Sequence, residues 1–482
     1  PIQLIDEPSF YFGLEYGVPN LAETYAETGL QSIKMTPALN KWGLIQPVKN
    51  AQYDFSLTDN HVREYQQAGF KYIQLLTYAE SAWGSRSKTD YRPKKEFEED
   101  YKKFIRALVE RYDGDGYQDM PGLRYPINYW GVEREFTGYY PGTGSEYLEL
   151  LRITYPEIKK ANPNAKVMLN ALLLWDVFQG NPSQTEIKNR FANPPGGKRK
   201  DLTDAGRLLN GHEYFDVIDF HSLSDYTEID STVKWLNEEM EKRGTNKEIY
   251  IGDAFPASPL LAYGVESCNS GLFSAKEFYP VTSKTRCEAA NLIDALRKQS
   301  KQDHKNAVAW VEAHTSIGLT RKFVVAAGSG IKGINVGNLE DWFIPAGAGL
   351  ASNFGLIDTI YGKGDQLVAK RTPQEKRPGF YAAKMVSKLQ GFDSVEKLDW
   401  GENVWAYEFS LKNKRIIVAW LDDGEFYGLN AVYPKKTITL SRNSKAIITE
   451  IPTKNDTSEV SEVKSVDGKI VFELSYTPVF IE

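Results

Sequence analysis

The sequence predicts an α/β fold, a (β/α)8 TIM barrel followed by a C-terminal antiparallel β-sandwich, and three observations carry that expectation. Short β-type runs alternate with longer helical patterns over residues 10–390. After Gly391 the helical patterns stop and only strand-like runs remain. No G-x-G-x-x-G follows the first run, which argues against the competing doubly wound open sheet.

The predicted barrel strands are residues 10–15, 32–36, 72–77, 127–132, 166–170, 217–221, 248–251 and 331–336. Between them, 96–111, 144–161, 231–243 and 303–327 carry apolar residues at helical spacing. Eight strands, each followed by helix, fit a closed parallel barrel. Two long segments rich in Gly, Pro and Ser, 180–201 and 254–286, follow strand ends, where insertions usually build a binding site. In the tail, 404–410, 415–420, 437–440, 446–451, 469–474 and 479–482 read as strands, and Asp467-Gly468 is a hairpin signal. The expected domains are therefore a barrel over 10–390 and a sandwich over 391–482, with residues 1–9 as an added edge strand.

With 41% hydrophobic and 25% charged residues, the 482-residue chain belongs among folded globular proteins with ample length for a large core. A net charge of −6, without a long basic block, leaves no footprint for nucleic acid. No run of about 18 apolar residues is present, so no membrane partner is expected. Pro1-Ile2-Gln3-Leu4 lacks the basic and apolar regions of a signal peptide. Cys268 and Cys287, read as lying in one loop-like stretch, fit either one disulfide in an exported protein or two thiols. Five scattered histidines and no compact ligand cluster at strand ends point to neither a metal nor any other cofactor.

In such a barrel the working side chains project from the C-terminal ends of the strands. The fourth strand ends Trp130-Gly131-Val132-Glu133-Arg134-Glu135-Phe136, and the seventh ends Ile251-Gly252-Asp253-Ala254-Phe255. Glu135 and Asp253 are the candidate catalytic carboxyls. Against that stand a rim salt bridge for Glu135 and a turn cap before Phe255-Pro256 for Asp253. Glu133 shares the strand face of Glu135, where it either raises its neighbour's pKa or neutralises Arg134. Glu340 and Asp341, near the eighth strand, are alternative carboxylates, whereas Glu312 lies in a helical pattern and reads as structural.

Several motifs besides these recur together. They are Trp42-Gly43-Leu44-Ile45-Gln46-Pro47 with Tyr53-Asp54-Phe55-Ser56-Leu57, then Phe215-Asp216-Val217-Ile218-Asp219-Phe220-His221. Phe354-Gly355-Leu356-Ile357-Asp358, Arg377-Pro378-Gly379-Phe380-Tyr381-Ala382 and the terminal Thr477-Pro478-Val479-Phe480-Ile481-Glu482 complete the set. In this order, over nearly the whole chain, they resemble the clan of retaining glycoside hydrolases with (β/α)8 barrels, and within it the family 39 type with a C-terminal sandwich. The resemblance implies a carbohydrate substrate, Glu135 as acid/base and Asp253 at the nucleophile's place.

Two positions depart from that pattern. Arg134 stands where the clan has an Asn that bonds the sugar 2-hydroxyl, and a donor-only guanidinium cannot copy the amide. Asp253 stands where the clan has Glu, one C–C bond or about 1.5 Å longer. Carboxyls about 5–5.5 Å apart would imply retention, and about 6.5–9.5 Å inversion. Arg134 either holds an anionic group of the substrate or folds back onto Glu133 or another carboxylate. The other substrate-binding candidates are His221, Tyr226, Asn170 and Lys34 as hydrogen-bonding groups, and Trp83, Trp175 and Trp342 as stacking faces in a chain with 13% aromatics. Core packing is the competing role for each Trp. The alternative to a hydrolase is a catalytically degenerate barrel that only binds carbohydrate.

Overall fold

The eight barrel runs form strands because each is buried on both faces, one against helices and the other against side chains inside the barrel. In the computed structural model they are β1 (Tyr11–Gly17), β2 (Ser32–Met35), β3 (Tyr72–Thr77), β4 (Tyr129–Val132), β5 (Lys166–Leu172), β6 (Val217–Ser222), β7 (Glu248–Ala254) and β8 (Gly333–Val336). All pair in parallel and in chain order, and β8 closes on β1. The structure describes residues 6–174, 177–178, 182–192, 200–223, 225–256, 283–297, 301–337, 339–340, 355–365 and 367–482.

The helices follow the predicted periodicity. Glu98–Glu110 buries Tyr101, Phe104, Ile105, Leu108 and Val109 on one face and opens with three acidic residues that suit its N-terminal dipole. Gly144–Ala161 starts at a capping box in which Thr143 and Glu146 satisfy each other's backbone N–H. Before β8 the chain forms two helices, Ser283–Arg297 and Lys301–Gly328, and only the second was visible in the sequence pattern. Cys287 therefore lies in a helix rather than a loop, because Ala289, Leu292, Ile293 and Leu296 pack one side of it. Cys287 is disulfide-bonded, and Cys268, the chain's other cysteine, lies outside the described residues. After β8 an antiparallel hairpin, β9 (Ile357–Tyr361) and β10 (Arg371–Lys376), leads to the helix Pro378–Val386, whose fixed first residue suits its N-terminus.

The tail is β throughout. β11 (Ser394–Lys397), β12 (Val404–Leu411), β13 (Lys414–Leu421), β15 (Ala446–Glu450), β16 (Val460–Val463) and β18 (Val479–Ile481) form one sheet, in the order β11-β12-β13-β18-β15-β16. A second sheet pairs β14 (Lys435–Ser441) with β17 (Lys469–Ser475), and Ile438, Ile470, Phe472 and Leu474 meet Ala406, Ala419 and Ile448 between the two. Asp467 and Gly468 both take positive φ, as the hairpin signal required. Of the expected edge strand over residues 1–9, residues 6–9 are irregular, with Ser9 Oγ donating to the Phe392 carbonyl, and 1–5 lie outside the described residues.

Side-chain alternation fills the barrel in layers. At the floor Tyr11, Tyr72, Tyr129, Met168, Val217 and Tyr250 pack together, with Tyr11 edge-on to Tyr72 and Tyr129. In the next layer inward positions of four strands are polar, as Lys34, Gln74, Asp219 and Asn335, all buried. Above them lie Glu15, Glu133 and His221. An apolar floor thus supports a charged mouth.

Candidate active site

The carboxyls at the ends of β4 and β7 are brought together by a residue from β6. Glu135 sits in the loop after β4, pinned by the buried side chains of Phe136 and Tyr140. Gly138 backs onto it so closely that a Cβ there would lie 1.9 Å from Glu135 Oε2. His221 Nδ1 stands 2.6 Å from Glu135 Oε1 and 3.9 Å from Asp253 Oδ2. These two carboxylate oxygens can be no further apart than the sum of those distances, 6.5 Å. Both groups reach the mouth, with 11% of the Glu135 side chain and 20% of Asp253 exposed.

Asp253 owes its place to a bulge in β7. Phe220 and His221 of β6 pair with Ile251 and Asp253, and Ile334 and Val336 of β8 pair with Ile251 and Ala254. Both registers leave an extra residue in β7, which bends the strand and re-aims the next side chain. Gly252 lies in this bulge and is clamped from three strands. Its N–H donates to Asp219 Oδ1 at 2.7 Å, and its carbonyl accepts from Lys34 Nζ at 3.0 Å and Asn335 Nδ2 at 3.3 Å. A Cβ on Gly252 would stand 2.2 Å from Asp219 Oδ2, so only glycine fits.

The site is dense in charge. Burial alone would lower the His221 pKa, but Glu135 and Asp219 outweigh it and push the ring up to about 10, so His221 is an imidazolium at neutral pH. Burial holds the Asp253 carboxyl above its ordinary value, against the pull of His221 and Lys34. Burial also pushes Glu15 up to about 8, with Asp253 adding to the shift and Lys34 opposing it. Glu133, fully buried and at φ 65°, is raised to about 7 by burial despite Arg134.

The remaining candidates divide by what they touch. Arg134 turns away from the Glu135 carboxyl: it pairs with Glu80, donates to Tyr91 Oη at 2.9 Å, stacks 4.3 Å over that ring and lies 3.5 Å from Glu133. Its expected partner Glu133 also accepts from the Ala79 N–H at 2.7 Å. Asn170 donates its amide to the Glu133 carbonyl and so braces the β4 loop. Tyr226, expected as a substrate hydrogen-bonding group, instead donates its hydroxyl to Asp422 and accepts from the Trp420 indole of the C-terminal domain, because the turn after β6 packs there. Trp83 packs edge-on to Trp42 at 4.6 Å and donates to the Gln46 carbonyl, which makes it part of the wall. Glu340 is held by Arg371 at 2.8 Å and Glu312 lies 3.9 Å from Arg377. Trp175, Trp342 and Asp341 lie outside the described residues.

Sequence reasoning passed over Glu15, Asp219 and Asn335. The signal was present: on β1, β6 and β8 they occupy the inward phase set by Tyr11, Val217 and Gly333, where a buried polar residue near a strand's C-terminal end marks the site. Tyr139, exposed four residues beyond Glu135, is an aromatic face at the rim and feels the charges of both Glu135 and Asp253.

No protein-family model and no curated protein matches the sequence. Solved structures do match along nearly its full length. A family 39 glycoside hydrolase from the gut symbiont Bacteroides cellulosilyticus WH2 superposes with a TM-score of 0.59 at 13% identity, over 100% of this chain and 82% of that one. A glucosidase from Croceicoccus marinus gives 0.54 at 11% identity, over 98% and 96%. A monomeric β-xylosidase from Caulobacter crescentus CB15 gives 0.53 at 13% identity, over 99% and 96%. The chain therefore has the fold of these solved glycoside hydrolases, a closed (β/α)8 barrel followed by a β-sandwich.

Proposed function

We propose that this chain is a glycoside hydrolase that cleaves its substrate with Glu135 and Asp253. The observation that carries the reading is that one ring nitrogen of His221, hydrogen-bonded to Glu135 at 2.6 Å, stands 3.9 Å from Asp253 at the barrel mouth. One oxygen of each carboxyl lies within 6.5 Å of the other, which leaves room for the about 5–5.5 Å carboxyl spacing of a retaining pair, the mechanism proposed here. Asp253 attacks the anomeric carbon while the glycosidic oxygen takes a proton from the Glu135–His221 pair. The aglycone leaves, and a glycosyl ester on Asp253 remains. Glu135 then removes a proton from water, which displaces Asp253 and restores both groups. Before the bond is cut and again after water has displaced Asp253, the imidazolium of His221 lies between the two carboxylates; in the glycosyl ester the pair holds one proton fewer.

Charge pairing within the site favours a neutral sugar. Arg134 is engaged by Glu80 and His221 by Glu135, while Lys34 is buried against Glu15 and the Gly252 carbonyl, so the cations around the described carboxyls are already taken up by protein groups. That agrees with the glucosidase and β-xylosidase among the structures of like fold. Glu135→Gln keeps the shape and removes the exchangeable proton. It should lower turnover at least about 10²-fold, least for substrates with good leaving groups. Near-wild-type turnover of an unactivated glycoside by this variant would overturn the assignment.

A further inference from the structure

We propose that Glu15, which the cleavage scheme does not use, is a positioning residue for Asp253 and acts through Lys34. Glu15 and Lys34 face each other across the first two strands, Nζ to Oε1 at 3.1 Å, with 2% of each side chain exposed. Lys34 Nζ also donates to the Gly252 carbonyl, one residue before Asp253, so the same ammonium joins a buried carboxyl to the seat of the reacting one. Lys34 is the ammonium that faces the Glu15 carboxyl, and the neighbouring Tyr16 hydroxyl hydrogen-bonds the same carboxyl. Burying an ionised carboxyl is costly even with these two partners.

The groups facing Glu15 are Lys34 from β2, His221 from β6, Asp253 from β7, Tyr16 beside it, Tyr78 after β3 and Tyr250 from the floor. From the end of β8 the backbone of Gly337 approaches Glu15. While Glu15 is protonated, the Lys34 charge serves Gly252 and Asp253. Once Glu15 ionises, a second negative charge enters beside Asp253 and competes for that ammonium. Burial sets this change at about pH 8, within the range where an enzyme can be assayed.

The inference rests on the hydrolase reading, and its test has one readout that does not. In protein labelled at histidine with 15N, the His221 ring signals of the wild type should shift in a step near pH 8, before the ring's own loss of a proton. Glu15→Gln should abolish that step and leave the later one. In kinetics, kcat of the wild type should fall with pH through the same step, and in Glu15→Gln this fall should move upward or vanish, with KM changed less than kcat. Lys34→Met should lower kcat about 10²-fold by releasing the seat of Asp253. The same His221 step in wild type and Glu15→Gln, or its absence from the wild type, would overturn the proposal. If Glu15→Gln does not fold, the wild-type titration alone still decides against it when no step appears. If no glycoside is hydrolysed by the wild type, the hydrolase reading fails and the His221 titration still judges this one.

Discussion

At the scale of single residues, the sequence pointed to Glu135, Asp253 and His221 because each ends a strand, but it left open which way Arg134 turned. Its orientation depends on Glu80 and Tyr91, residues from another loop that no local pattern connects with it. The shorter Asp253 follows the same logic, since its reach depends on where the backbone puts it. Asp253→Glu adds about 1.5 Å of side chain to a position already re-aimed by the bulge. It should lower kcat about 10²-fold, the cost of a misplacement near 1 Å, and an unchanged or faster variant would show that the bulge does not set this distance. His221 gives a second expectation. Its folded pKa of about 10 lies above the ordinary 6.5, so its contribution to stability is complete below pH 6.5 and is lost as pH rises through 10. Thermal melts of the wild type and His221→Gln should therefore differ most at neutral and mildly acidic pH and converge above 10.

At the scale of elements, the barrel strands were legible because both faces are buried, which writes each as a short run of apolar and β-branched residues between turn signals. The bulge in β7 was not legible. It exists only relative to the registers of β6 and β8, and Gly252 alone reads as an ordinary glycine in a strand. The helix Ser283–Arg297 was missed for a related reason, since its apolar side faces Trp310 and Phe426 and breaks into short clusters along the sequence. Gly252→Ala tests the bulge. The added methyl would meet the buried Asp219 carboxylate, so the variant should lose about 1–3 kcal/mol of stability in urea unfolding. Its kcat should fall further than stability alone explains, because Asp253 moves with the strand. A variant as stable and active as the wild type would mean that Asp219 and the strand have room to give.

At the scale of the molecule, the sandwich is tied to the barrel through the long helix Lys301–Gly328 and the turn after β6. Arg321 of the long helix pairs with Asp422 at 2.8 Å and lies 3.9 Å over Tyr476, while its neighbour Lys322 donates to the Ser222 carbonyl beside His221. Asp422→Ala leaves a buried guanidinium without its carboxylate and should cost about 3–5 kcal/mol. Barrel and sandwich should still unfold in one transition, and two separated transitions would show that the domains are independent. The barrel followed by an all-β tail was readable in the order of elements, whereas this junction, built from Tyr226, Arg321, Asp422 and Tyr476, joins residues far apart in sequence. The central claim, hydrolysis by two close carboxyls with retention, is tested most directly by the first product released from a glycan that the wild type turns over. Followed by proton NMR before mutarotation, the new reducing end should carry the same anomeric configuration as the bond that was cut. Release of the opposite anomer, or no hydrolysis across a broad panel of neutral and charged glycans, would contradict it.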